Sequence, residues 1–377
     1  MVCFFTETDS QRKILKKENE EKMRKYRKIF INCMVAGALA VSTMTGCGAA
    51  SKTTDETAAS ESEISKQDNM EAAQSVSSVV KSDADQKISI VCTNFPEYDF
   101  VRQIVGEQAD VTMLLKPGAE SHTFEPTPQD IITIQNSNLF IYVGGDSDEW
   151  VSGVLDSMDQ SKMTIVKLMD CVDTVEEQLV EGMQPEKEDS EDTASEGSTE
   201  APEMDEHVWT SPANAMQIVQ ALSDKICSLD PANQDIYKAN TQTYLLKLKK
   251  LDQDFRDVVN NSKRKEIIVG DRFPFRYFCE EYGLKYYAAF PGCSADTEPD
   301  AATVAFLIDK VKADKIPVVF HIELSNEQMC NSITEATGAK SELLNAVHNV
   351  SDSDFKAGAT YISLMEHNVQ VLKEALN

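Results

Sequence analysis

The chain has 377 residues, 41% hydrophobic and 26% charged, a globular balance long enough for two domains with a core each. Its formal net charge of −27 excludes a nucleic-acid partner, since phosphate binding needs Lys and Arg to replace counterions, and favours a cationic ligand.

In chain order, residues 1–47 read as targeting sequence. The basic stretch MRKYRK, Met23 to Lys28, precedes the apolar run IFINCMVAGALAVSTM, which is too short and too interrupted for a comfortable membrane span and fits a secretory signal. MTGC resembles the cleavage box of bacterial lipoproteins, so Cys47 is the expected lipidation site and mature N-terminus, with Met23 as the expected true start. Residues 48–86 are Ser, Thr, Ala, Asp, Glu and Lys with almost no aromatic residue, the composition of a disordered tether.

A first α/β lobe is expected over residues 87–230. ISIVCT is a strand, a helix covers roughly Tyr98 to Gly106, and the strand VTMLL leads directly into KPGAESHTFEPTP. PQDIITIQNSN has helical spacing and LFIYVGG reads as a buried strand. Such alternation favours a mainly parallel sheet flanked by helices, in which ligand loops gather at the carboxyl ends of the strands. Residues 173–206 are acidic, poor in apolar residues and aperiodic, and are expected to form a disordered insertion.

From Pro212 the chain is helical to about Val259, with a new start at Asp230-Pro231. The linking helix, 231–262, carries Ile236, Tyr244, Leu245, Leu248, Leu251, Phe255 and Val258 close to one stripe. At 1.5 Å per residue it is about 45 Å long, enough to bridge two domains. A second α/β lobe, 263–377, repeats the alternation with strands EIIVG, LKYYAAF and IPVVFHIE, a helix PFRYFCEEYG ended by Gly283, and a terminal helix.

Five histidines offer few candidates for chemistry. His122 follows a strand in a segment stiffened by three prolines, with Glu120 and Glu125 near it. His207 stands in MDEHVWTSP, where Asp205 or Glu206 can take its remote ring nitrogen, as partners of metal-bound histidines do. His348, in LLNAVHNVSDSD, also lies at a strand end, while His321 shares a strand face with Glu323 and His367 reads as a surface residue. Asp271, in IIVGDRFPF, suits either a metal ligand or a salt-bridged loop anchor, and spacing alone does not choose. Together His122, His207, His348 and Asp271 would form a nitrogen-rich four-ligand site between the lobes, suited to Zn²⁺, with Glu323, His321 and Glu120 as outer partners or alternative ligands. Ordinary histidines would make binding weaken as pH falls through about 6.5. The remaining cysteines, Cys92, Cys171, Cys227, Cys279, Cys293 and Cys330, form no close pair and are expected as single thiols.

At these residues the chain resembles the extracytoplasmic solute-binding lipoproteins of bacterial zinc and manganese ABC transporters. GAESHTFEPTPQDI is similar to that family's first ligand loop, DEHVWTSPANA to its second, LDPANQDIYKANTQTYLLKLKKLD to its backbone helix and TYISLMEHNVQVLKEAL to its last helix. The resemblance covers roughly residues 87–377. It implies two similar lobes joined by one long rigid helix, a metal in the cleft, a monomer anchored outside the cell membrane, and an ABC permease as partner. His122 and His207 match the family's two histidines of the first lobe. GDRFPF stands where a third histidine is usual, so Asp271 is the candidate there, and His348 falls near the usual acidic ligand. Zinc is the expected cargo and manganese the alternative; the rivals from other classes are a secreted zinc hydrolase, which lacks a recognisable catalytic motif here, and an adhesin, which is compatible with the tether and with transport.

Overall fold

The computed structural model describes residues 87–183, 203–292 and 301–377; the leader, Cys47, the tether, the middle of the acidic insertion and Cys293 lie outside them. The first lobe runs β1 (Ser89–Cys92), α1 (Phe95–Val105), β2 (Asp110–Met113), α2 (Pro128–Gln135), β3 (Leu139–Tyr142), α3 (Glu149–Asp156), β4 (Thr164–Lys167) and α4 (Pro212–Leu229). Helix α5 (Gln234–Asn260) leads into β5 (Glu266–Arg272), α6 (Arg276–Tyr282), β6 (Lys285–Phe290), α7 (Ala301–Asp314), β7 (Val318–His321), α8 (Gln328–Thr337), β8 (Lys340–Leu343), α9 (Asp352–Ala357) and α10 (Tyr361–Ala375).

Each lobe is built on a four-stranded parallel sheet, in the order β2-β1-β3-β4 and again β6-β5-β7-β8. Strand direction explains why the strands read as apolar runs. Ile90, Cys92, Leu139, Ile141, Ile267, Val269, Val318 and Phe320 point into a core common to both lobes. Their neighbours face outward: Val91 and Phe140 into one separate cluster, Ile268 and Val319 into another. With both faces covered, a parallel strand has no polar side to alternate. In both sheets the order reverses between the first and third strands, which opens a crevice at their carboxyl ends.

Helix α5, about 40 Å long at 1.5 Å per residue, packs on α1, α4 and α10, and so runs along both lobes. Its buried stripe is Tyr237, Thr241, Tyr244, Leu248, Leu251, Phe255 and Val259. The ends differ from the sequence reading, because Ile236 is 44% exposed and Tyr237 takes its place. Adjacent apolar residues at both ends left the helix phase open, and only packing selects between them.

The insertion is narrower than its composition implied. Val175, Val180 and Met204 pack against the common core, and Glu176 forms an antiparallel bridge with Met204. The Tyr277 hydroxyl on α6 accepts from Val175 N at 3.3 Å and donates to Asp205 O at 2.6 Å, so both limbs are pinned to the second lobe. These few apolar residues supply anchoring that the acidic average of the segment conceals. Cys92, Cys171, Cys227, Cys279 and Cys330 are free thiols.

A buried carboxylate ties the bridging helices together. Asp99 on α1 accepts from Arg102 Nε at 2.6 Å, from Tyr361 N at the start of α10 at 2.7 Å, and from the Tyr244 hydroxyl on α5 at 3.4 Å. Removing it strands several buried donors at once. Asp99→Ala is therefore expected to cost about 3–5 kcal/mol of stability, read as a lower midpoint in urea unfolding followed by circular dichroism.

Candidate metal centre

Three imidazoles from three distant segments meet where the lobes face each other. His122 comes from the loop after β2, His207 from the segment after the insertion, and His348 from the loop after β8. Ring centroids are 5.8 Å apart for His122 and His207, 5.3 Å for His122 and His348, and 4.8 Å for His207 and His348. One ligand atom from each lies within 4.8 Å of the other two. Trp209 closes one wall, its ring 5.5 Å from His207 and 5.4 Å from His348, and its indole N–H donates to Ala346 O at 2.8 Å.

Each imidazole is oriented through Nδ1. The His207 Nδ1 lies 3.0 Å from Asp205 Oδ1, which also accepts from the His207 backbone N–H at 2.8 Å. For His348 the partner is Glu323, 3.4 Å from Nδ1. The same carboxylate accepts from His348 N at 2.8 Å and Ala346 N at 2.6 Å, on either side of Val347, whose φ of 65° is left-handed. Successive N–H groups around a left-handed residue make a small anion nest, and Glu323 fills it, holding the strained turn that aims His348. His122 is served by a relay. Its Nδ1 is 2.8 Å from Ser147 Oγ, and Ser147 in turn donates to Glu206. Because the one Ser147 proton is committed to Glu206, His122 must carry its own proton on Nδ1.

Protons on all three Nδ1 atoms leave Nε2 as the electron-pair donor. In His207 and His348 that nitrogen is fully buried and has no hydrogen-bond partner. A buried polar atom without a partner is costly, and two facing one small space fit a cation between them.

The electrostatics agree. Burial, then the neighbouring His348 and His207, push the His122 pKa far below its usual value, and burial and His207 do the same to His348. Burial also opposes charge on His207, but Asp205, Glu206 and Glu177 outweigh it and its pKa is raised. Proton competition therefore falls on His207 first, above the ordinary histidine range, and not on the three histidines equally as ordinary values imply. Burial raises Glu206 to about 7 and also raises Glu323.

Several backbone features make room for this arrangement. A Cβ on Gly292 would sit 2.9 Å from His207 Cε1, and one on Gly145, whose φ is 82°, would sit 2.5 Å from the Glu206 carboxylate. The His122 and His348 loops are fastened to each other: Asn349 Nδ2 donates to Lys116 O at 2.7 Å and Ala119 O at 2.9 Å, and Gly118 N donates to Val350 O at 2.8 Å.

Asp271 stands apart from the cluster. Its carboxylate accepts from Arg272 N at 2.9 Å and is held by Ser325, in a small polar pocket of about 180 Å³. The β5–β6 register shifts between Val269 and Arg272, so strand alternation does not carry to the end of β5. There Arg272, not Asp271, reaches across to the first lobe and grips Glu120. His321 bonds Ser341 Oγ through Nδ1 at 3.0 Å, 3.8 Å from Glu327 at Nε2, and lies outside the cluster. His367 is exposed on α10. The sequence offered Asp205 or Glu206 for His207; the fold assigns Asp205 to His207 and Glu206 to His122. Ser147, Asn349 and Arg272 were not anticipated, since nothing local to them signals a partner 25, 233 or 152 residues away.

Two like parallel lobes, a helix along both of them and a buried imidazole cluster between them define a two-lobed cleft-binding protein with a site suited to a divalent metal. Residues 90–375 match the family described as zinc-uptake complex component A, periplasmic, and the chain belongs to that family. Among its relatives, zinc-binding lipoprotein AdcA of Streptococcus pneumoniae (strain R6) is 33% identical over 291 residues, covering 77% of this chain and 56% of that protein. High-affinity zinc uptake system protein ZnuA of Bacillus subtilis (strain 168) is 33% identical over 290 residues, covering 77% and 88%. This chain thus spans about half the length of the streptococcal relatives it matches. The crystal structure of the Zn(II)-bound ZnuA-like domain of Streptococcus pneumoniae AdcA superposes with a TM-score of 0.63 at 30% identity, over 77% of this chain and 99% of that one.

The orienting carboxylate on His207 gives a direct test. Asp205→Asn keeps the side-chain shape but weakens the hold on Nδ1–H, and is expected to lower zinc affinity about 10–100-fold by calorimetry at pH 7.5.

Proposed function

We propose that this protein is the extracytoplasmic zinc-binding component of a metal ABC importer, holding Zn²⁺ with His122, His207 and His348 and handing it to a membrane permease. The observation that carries the reading is the trio of buried imidazoles, each backed at Nδ1 by a carboxylate or a serine–carboxylate relay, with two Nε2 atoms lacking any partner. Three neutral nitrogen donors suit zinc, whereas manganese prefers sites richer in carboxylate oxygen. The names of the relatives agree, since AdcA and ZnuA are called zinc-binding and zinc-uptake proteins. The site reads as a carrier's and not a catalyst's: among the described residues Asp205, Glu206 and Glu323 lie behind the rings, and Glu120 is engaged by Arg272, so none of them stands free as a general base would. We further propose lipidation at Cys47, which places the monomer on the outer face of the cell membrane.

Elemental analysis of protein purified without chelator tests the cargo, with about one zinc and little manganese expected per chain. His207→Ala should abolish that loading while leaving the circular dichroism spectrum of the metal-free protein intact. Equal zinc content in the variant would sink the proposal.

A further inference from the structure

The region where Asp271 was expected to join the cluster holds an ion pair. Arg272, at the end of β5 in the second lobe, grips Glu120 in the His122 loop of the first lobe, with Nη1 3.3 Å from Oε1 and Nη2 3.0 Å from Oε2. Glu120 Oε1 also accepts from the backbone N–H of His122 at 3.4 Å. Glu120 is thus an acidic residue beside the cluster, two positions from His122 and within electrostatic reach of His122 and His348. It is nonetheless turned away. A two-pronged guanidinium–carboxylate pair has a fixed geometry, and at 16% side-chain exposure Arg272 would be left partly buried and uncompensated if Glu120 departed. A cation in the cluster would, meanwhile, already face Asp205, Glu206 and Glu323 through the rings.

We propose that Arg272 is a specificity-determining residue: by holding Glu120 off the metal, it leaves three imidazoles and one exchangeable solvent molecule or small anion as the coordination sphere. This rests on the three-histidine reading above. Without a carboxylate oxygen the site favours zinc over manganese; with Glu120 released, a hard oxygen donor would join and narrow the gap.

Cobalt(II) serves as the spectroscopic probe in the full chain. Azide titrated into the cobalt-loaded protein is expected to shift the visible d–d bands, because one coordination position is exchangeable. Arg272→Gln should lose most of that response and improve manganese affinity relative to zinc by about tenfold or more, and Arg272→Gln combined with Glu120→Gln should return the ratio towards the parent. Bands insensitive to azide in the parent protein would overturn the inference, and so would an unchanged zinc-to-manganese ratio in Arg272→Gln. The azide titration needs no variant, so it can still overturn the inference if Arg272→Gln misfolds, and Arg272→Lys, which keeps the charge but not the two-pronged grip, then reads the zinc-to-manganese ratio, an unchanged ratio there overturning it as well. A cobalt spectrum that survives His207→Ala would instead bring down the three-histidine reading and this inference with it.

Discussion

Three imidazoles cannot be pressed together in a dry crevice without a reason, and the rest of the structure is arranged around that constraint. Ring centroids lie 4.8 to 5.8 Å apart, so any two protonated rings would repel strongly in a medium that screens poorly. Neutral rings avoid the repulsion but leave buried nitrogen lone pairs without donors. A shared divalent cation resolves both difficulties. The three anionic groups behind the rings then act twice, fixing each proton on Nδ1 and facing the ion's charge across the imidazole.

The twofold use of one sheet order makes this convergence available. Each lobe sends loops from the carboxyl ends of its strands into the same crevice, and α5 holds the lobes at a set distance from behind. The front is closed by direct loop-to-loop bonds rather than by bulk packing. Asn349, Gly118 and the Arg272–Glu120 pair all join the first ligand loop to the second lobe. Phe95 N also donates to the carbonyl of His348 itself, at 3.2 Å. Bonds of this kind restrict the loops that carry His122 and His348, and the more firmly they hold, the less ordering entropy opposes binding. Strain at Val347 belongs to the same economy: the left-handed turn persists because Glu323 accepts from the N–H groups on both sides of it.

The two lobes contribute unequally to the cluster. His122 and His207 come from the first lobe and His348 from the second. In the second lobe the GDRFPF segment contributes an arginine to the crevice, and the third imidazole comes from the loop after β8. The cluster is thereby rich in nitrogen donors. At this point a cationic side chain, Arg272, pairs with a carboxylate of the His122 loop.

Much of the architecture was written locally. Buried parallel strands must be short and apolar on both faces, so ISIVCT, LFIYVGG, EIIVG and IPVVFHIE were legible as strands, and the stop at Gly283 was legible because a left-handed φ of 67° suits glycine. His122, His207 and His348 stood out because rare histidines at strand ends in an acidic chain have few structural uses. The fates of Asp271, Arg272, Ser147 and Glu206 were decided elsewhere. Which side chain faces a crevice at the end of β5 depends on a register shift against β6, and which carboxylate serves His122 and His348 depends on loops brought together from 25 to 59 residues apart. Sequence patterns report periodicity within an element; the direction of a side chain where the element ends is set by its neighbours in space.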